Sequence, residues 1–504
     1  MGGRLSRWWW KAIAIGIVVV LAPVIWLSVS VLIDRLGSHE MSWGERIGRG
    51  EDYIYISEQT LTNEDLEYLA SLRNLKMLRI LDCNVAECRL RDLDFAGHEM
   101  WYVDFTGTTG LWDLSFLSTI RAESVILNDC SGIDDISMLN WDALDELEID
   151  GTAVTDLSPL AGSKVMRVSF ARTDVSDISP LASLGRQLWR VNGSYSKVES
   201  IDALADCENL HELTFDGCSI EQVKKPLAAT RLYNLSLADT PVSDLSGFSG
   251  CDCLQKLNLR GTKITDMSWM NRQIRESLTE LDFGQAELGA SDVGWVAACT
   301  NLKRLTLDGI DLGNLDLCRS LTNLEWLSAI DCNLTDISGI RNCSKLTTVL
   351  LGYNKLQSIS ALPMHEDDWD RKIVDLSHNQ LSSVSELPQG DYCLIMLQGN
   401  NADVARTLTD GVDSYMLVAD WYAGIEDSVA LTSRDYTTIY LLGCTKEARE
   451  VFEETPWKWW ALEFVSENEV LDMLETDDMT FSHFEELGPC ARLEREKLAE
   501  AGGQ

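Results

Sequence analysis

The sequence predicts an α/β solenoid, with short parallel strands on a concave face, short helical turns on the convex side, and one transmembrane helix ahead of them. Three observations carry this reading. A pattern of hydrophobes around a small polar slot recurs between residues 51 and 403 at spacings of 21 to 25 residues. Within each copy the first hydrophobes alternate, as in Leu235 and Leu237, which is the period of a strand with one buried face. Residues 12–33 run for 22 residues without a charge. A unit that cannot bury its own apolar face becomes stable only when stacked on its neighbours, and that is the logic of a solenoid.

In chain order, residues 1–11 read as a cytoplasmic basic tail carrying Arg4, Arg7 and Lys11. Residues 12–33 are long enough to cross a hydrocarbon layer of ~30 Å as a helix. The Trp8, Trp9 and Trp10 triplet suits an interfacial belt, and the excess of basic residues before the run places the remainder of the chain outside the cell or in its envelope. The run is longer than the apolar core of a typical cleaved signal, so an uncleaved anchor is expected. Residues 34–50, with Gly37, Gly44, Gly48 and Gly50, read as a linker.

The repeat array follows, in 16 units whose slot residues run from Gln59 to Asn400. Residues 144–160 show one unit in full: Leu144, Leu147 and Ile149, the slot at Thr152, then Val154, Leu157 and Leu160. The slot holds Thr at 152, 173, 240 and 262, Cys at 83, 130, 218 and 332, and Asn at 354, 379 and 400. Each of these types can turn a donor toward the bend after the strand, where backbone groups would otherwise be buried unpaired. The acidic residues that come next (Asp156, Asp177, Asp244, Asp266, Asp336) are followed two places on by Ser, and read as caps of a short helical turn rather than metal ligands. Of the 14 cysteines, Cys83, Cys130, Cys218 and Cys332 share the slot column and Cys207, Cys251, Cys299 and Cys343 a second one, both columns of small buried side chains. Column mates are at least two repeats apart, which at ~5 Å per stacked strand puts them ~10 Å from one another, too far to bridge. Reduced thiols are expected.

These units, written L-x-x-L-x-L-x-x-T-x-V-x-D-L-x-P-L at residues 144–160, resemble leucine-rich repeats and are similar to the 22-residue repeats of bacterial internalins. The resemblance covers residues 51–403. It implies a curved right-handed solenoid with a parallel sheet on its concave face, and a habit of binding proteins with that face. It does not extend to invasion, because no LPxTG signal or immunoglobulin-like module accompanies the repeats.

Residues flanking the inward pairs form the expected binding face. Tyr53, Tyr55 and Tyr102 make an aromatic set near its start, and Glu146, Glu148 and Asp150 make an acidic set further along. Trp326, Ile330, Leu350, Ile373, Leu394 and Met396 make an apolar set near its end. The acidic loop at 365–370 lacks the spacing of a calcium loop and reads as solvated. Residues 404–504 read as divergent β-α units that extend or cap the array, with strands at 415–419, 439–443 and 461–465 and helices at 446–454 and 468–476.

A formal net charge of -38 opposes binding to nucleic-acid phosphates, which require Lys and Arg. The sequence contains no HExxH, GxSxG or P-loop motif, so no catalytic, cofactor or metal site is expected. The expectation is a membrane-anchored protein that binds a protein partner through its concave face outside the cell. A scaffolding component of the envelope, binding glycan or neighbouring proteins without one dedicated ligand, is the alternative.

Overall fold

Two inward hydrophobes with one outward residue between them are enough to start a strand in each repeat, and the parallel ladder follows from stacking them. The structure, a computed structural model, describes residues 38–363, 372–401, 404–407, 412–420, 438–442 and 461–464. The chain divides into two compact units, Met1–Val198 and Glu199–Gln504. Residues 12–33, expected to be a transmembrane helix, lie outside the described residues. Among those described, no helix is long and apolar enough to cross a membrane. The loop at 365–370 and the expected helices at 446–454 and 468–476 also lie outside them.

The first unit opens with an antiparallel hairpin, Ser38–Glu40 against Arg46–Gly48, in the stretch that reads as a linker. Its Met41 and Ile47 are buried, and the Tyr68 hydroxyl donates to the Ile47 carbonyl at 2.8 Å. The hairpin is thus tied to the helix Asn63–Ala70, whose start carries a reciprocal Thr62–Asp65 capping box. Seven parallel strands follow, from Tyr53–Ser57 to Arg190–Asn192, and they keep Ile54, Leu78, Val103, Val125, Leu147, Val168 and Val191 in one register. All seven are buried. Each such side chain removed from water contributes roughly 1.5–3 kcal/mol.

The second unit continues the pattern in a ladder of twelve parallel strands from Glu212–Thr214 to Ala461–Phe464. Its register column begins Leu213, Leu235, Leu257 and passes through Ile395, Leu417 and Ile439 to Leu462. The ladder therefore runs on beyond Asn400, where the repeat consensus is lost, through the strands Val412–Asp420, Thr438–Leu442 and Ala461–Phe464.

The bend after each strand explains the slot. In all sixteen units the residue just before the slot is left-handed, with φ between 49° and 75°, although glycine fills it in only six. A non-glycine residue there costs roughly 1–2 kcal/mol, so the bend is imposed by its hydrogen bonds and not by local preference. Where the slot residue has a side-chain donor it supplies them; Ala286 and Ile310 have none. Thr152, Thr173, Thr240 and Thr262 each donate to the carbonyl three residues earlier at 2.6–2.7 Å. Cys130 and Cys332 donate instead to the preceding repeat, to Phe105 and Leu307. Asn354 does both, donating to Leu351 and to Ala329, while its carbonyl oxygen accepts from the Cys332 and Leu334 amides.

The acidic residue after the bend acts one position earlier than a formal cap. Asp156 accepts from the Ser158 amide at 2.7 Å, and the 3-10 turn Ser158–Leu160 follows; Asp177, Asp244 and Asp336 do the same. Eleven cysteines, from Cys83 to Cys343, have described side chains. All are unbridged, and all but Cys253 are buried.

Candidate functional site

The outward residues of each strand stand beside one another in columns, so a partner would meet side chains fixed by the ladder. In the first unit the opening columns carry aromatic and cationic groups. Tyr53 and Tyr55 are 49 % and 50 % exposed. The register sets Arg79 opposite Tyr55 and Tyr102 opposite Met77. The Arg79 guanidinium consequently lies over the Tyr55 ring, 5.6 Å from its centroid, and 5.9 Å from that of Tyr102. Asp104, buried, anchors the same guanidinium at 3.1 Å. Burial, with the Asp104 charge, pushes the Tyr102 hydroxyl up to about 12, so it remains a protonated donor. Tyr55 and Tyr102 thus share one arginine, and Tyr53, two residues before Tyr55 on the same strand, extends the group into a three-tyrosine platform.

The acidic set reads differently in the structure. Arg167 donates to both carboxylate oxygens of Glu146 at 2.9 and 3.3 Å, and Ser124 donates to one of them. Glu148 accepts from Asn128 at 2.9 Å. Asp150 accepts from the Ser169 hydroxyl at 2.6 Å and the Ala171 amide at 2.7 Å, both in the next repeat. Burial, reinforced by neighbouring acids, raises the Glu148 carboxyl, and burial raises that of Asp150. These groups are committed to the sheet itself.

The Asp150 arrangement recurs. Asp216 accepts from Ser236 and the Ala238 amide, and Asp308 from Ser328 at 2.6 Å and the Ile330 amide at 3.0 Å. In each case Asp-Gly follows the second inward hydrophobe, and the serine stands 19 or 20 residues on. This clamp stitches one repeat to the next on the outward face. The sequence reading missed it, although Asp-Gly paired with a distant Ser-x-Ala or Ser-x-Ile is the signal that would have found it.

The apolar set near the end of the ladder needs correction. Trp326, Ile330, Leu350, Ile373, Leu394 and Met396 are all buried, so they do not form an open contact face. For Trp326 the reason is visible, since the Arg304 guanidinium covers its ring at 4.3 Å. For Ile330 part of the reason is the clamp, which draws its amide onto Asp308. Strand period identifies which residues point away from the core, but not what is laid over them.

The second unit also carries a hollow of about 450 Å³, lined chiefly by the outward residues of six strands from Thr214 to Trp326. Lys256 pairs with Glu280 across it at 2.8 Å. Deeper in, Arg260 faces Asp308 at 3.9 Å, and Asp282 holds the Gly284 amide at 2.8 Å. Burial, with the Asp308 charge, raises the Asp282 carboxyl to about 6.

No family model matches the chain. A human protein, leucine-rich repeat-containing protein 56, is 30% identical over 105 residues, 20% of this chain; the match spans about a fifth of that relative's own length, 19%. Among solved structures, an internalin from Listeria monocytogenes is 16% identical over 84% of this chain and 91% of its own, with a TM-score of 0.40. The functional domain of InlJ from the same organism, which includes a cysteine ladder, is 14% identical over 75% of this chain and 76% of its own, at 0.48. A leucine-rich-repeat protein of Leptospira interrogans is 15% identical over 80% and 95%, at 0.47. None of these likenesses carries a ligand across.

Proposed function

From a chain built of internalin-like leucine-rich repeats, we propose a binding protein that holds a protein partner on the outward sheet face of its first unit. The observation that carries the proposal is the platform of Tyr53, Tyr55 and Tyr102 braced by Arg79. Tyrosine and arginine dominate the energetics of protein interfaces, and here the strands and Asp104 hold the group in place before any partner arrives. The apolar run at 12–33 would tether the protein to a membrane, with the repeats on the far side from the basic tail.

The test is affinity capture with the full chain, followed by measurement of the captured partner's dissociation constant against wild type, Tyr55→Ala and Arg79→Ala. Each substitution should weaken binding about tenfold or more, which corresponds to roughly 1.4 kcal/mol or more. Wild-type affinity in both variants would remove the platform from the interface. Recovery of the whole protein in the soluble fraction of lysed cells would remove the anchor.

A further inference from the structure

The hollow in the second unit has the size of small-ligand clefts, ~300–1,000 Å³. Most of its charges are satisfied from within. Lys256 is paired with Glu280, Arg304 lies on Trp326, and Asp216 receives the Ser236 hydroxyl and the Ala238 amide. Two atoms are not. Arg260 Nη1 and Asp308 Oδ2 are both buried, and neither has a hydrogen-bond partner. They face each other at 3.9 Å.

Asp308 has no freedom to relieve this. Its side chain is 0% exposed, and its other oxygen is already held by Ser328 and the Ile330 amide. Gly284 leaves room for the guanidinium, because a Cβ there would stand 2.8 Å from Arg260 Nη1. An unpaired buried polar atom costs about 1–3 kcal/mol, so this geometry is poised for a group placed between the two.

The chemistry of that group follows from the gap. A separation of 3.9 Å is too long for a direct hydrogen bond, but one oxygen can sit ~2.8 Å from both atoms. The oxygen must accept from the guanidinium and donate to the carboxylate. An ammonium offers Arg260 no acceptor, and a carboxylate or phosphodiester anion offers an ionised Asp308 no donor. A hydroxyl does both with a single atom. We propose that the hollow binds a neutral saccharide, with one sugar hydroxyl bridging Arg260 and Asp308. Thr214, Asn234, Asn258 and Thr306 in the lining supply further polar partners for a polyhydroxylated ligand. Trp326 stiffens the wall beneath Arg304 and is not available for stacking. Arg260, whose side chain keeps 18% of its surface in solvent, is the point of entry.

The experiment is saturation-transfer NMR on the full chain in a non-glycosidic detergent. The probes are maltopentaose, cellopentaose, chitopentaose and methyl α-D-mannopyranoside, each at low and high salt. At least one should bind saturably, with an affinity unaffected by salt. Asp308→Asn keeps the acceptor that serves Ser328 and Ile330 but turns the facing atom into a donor, and Gly284→Ala crowds the guanidinium. Each should weaken binding about tenfold, with thermal melting confirming the fold, while Tyr55→Ala should bind the sugar as wild type does and so separates this site from the platform. If no probe binds wild type, a trapped water fills the gap and the proposal fails. Binding unchanged in Asp308→Asn, or abolished by salt, overturns it as well.

Discussion

Aspartate residues in this chain fall into two chemical classes, and the classes respond to pH in opposite senses. Asp156 and Asp177 accept from a serine amide at the head of a turn; the Ser158 hydroxyl with its amide, and the Ser179 amide with its hydroxyl, hold the two carboxyls below the ordinary value. Their folded pKa is below the unfolded one, so their contribution is present at neutral pH and lost as pH falls through the folded value. Asp282 is the reverse. Burial and the Asp308 charge lift it to about 6, against an unfolded value near 4. Between those limits the folded state keeps a proton that the unfolded state has released. Its contribution is therefore complete in acid and lost as pH rises through about 6. Asp282→Asn should remove that loss, leaving the variant more stable than wild type at pH 7 by roughly 2 kcal/mol, with little difference near pH 4. Urea-unfolding midpoints across this range measure it. Parallel pH profiles for the two proteins would show that Asp282 titrates normally.

At the level of the repeat, the bend is where sequence and structure agree best, because its chemistry is local. Thr173 and Asn354 occupy the same slot and serve the same bend, yet they do unequal amounts of holding. Thr173 gives one hydrogen bond within its own repeat. Asn354 joins two repeats, donating to Ala329 and Leu351 and accepting from two buried amides, those of Cys332 and Leu334. Thr173→Val should cost about 1 kcal/mol, and Asn354→Ala several times that, since it strands two amides at ~1–3 kcal/mol each. Equal losses in chemical denaturation would mean that solvent reaches the stranded amides. The slot, the alternating hydrophobes and the Asp156 turn were all legible because each is marked by a pattern within a few residues, even where its partners lie a repeat away. The Asp150, Asp216 and Asp308 clamps were not, because their partners stand 19 or 20 residues away, in a column that strand period marks only as outward. For the same reason Asp150 read as partner-facing, and Trp326 as an open anchor.

For the chain as a whole, the question is whether its two units unfold together. Repeat arrays contact only their neighbours, so cooperativity can break where neighbouring repeats interact less. The chain divides at Val198, and the described cysteines sample both sides: Cys83, Cys88 and Cys130 in the first unit, and buried thiols from Cys207 to Cys343 in the second. Burial pushes up the thiols of Cys83, Cys88, Cys130, Cys207, Cys251, Cys299, Cys318, Cys332 and Cys343, to about 12 for Cys130 and Cys299, which leaves them protonated and unreactive at neutral pH while the fold is intact. Cys253, exposed, is the one of the eleven that should react with iodoacetamide in the native protein. In increasing urea, site-resolved mass spectrometry should then give two labelling midpoints, one shared by Cys83, Cys88 and Cys130 and another by Cys207, Cys251, Cys299, Cys318, Cys332 and Cys343. A single midpoint for all nine would show that the division at Val198 does not separate two folding units. Rapid labelling of any of the nine without denaturant would contradict the burial on which the prediction rests.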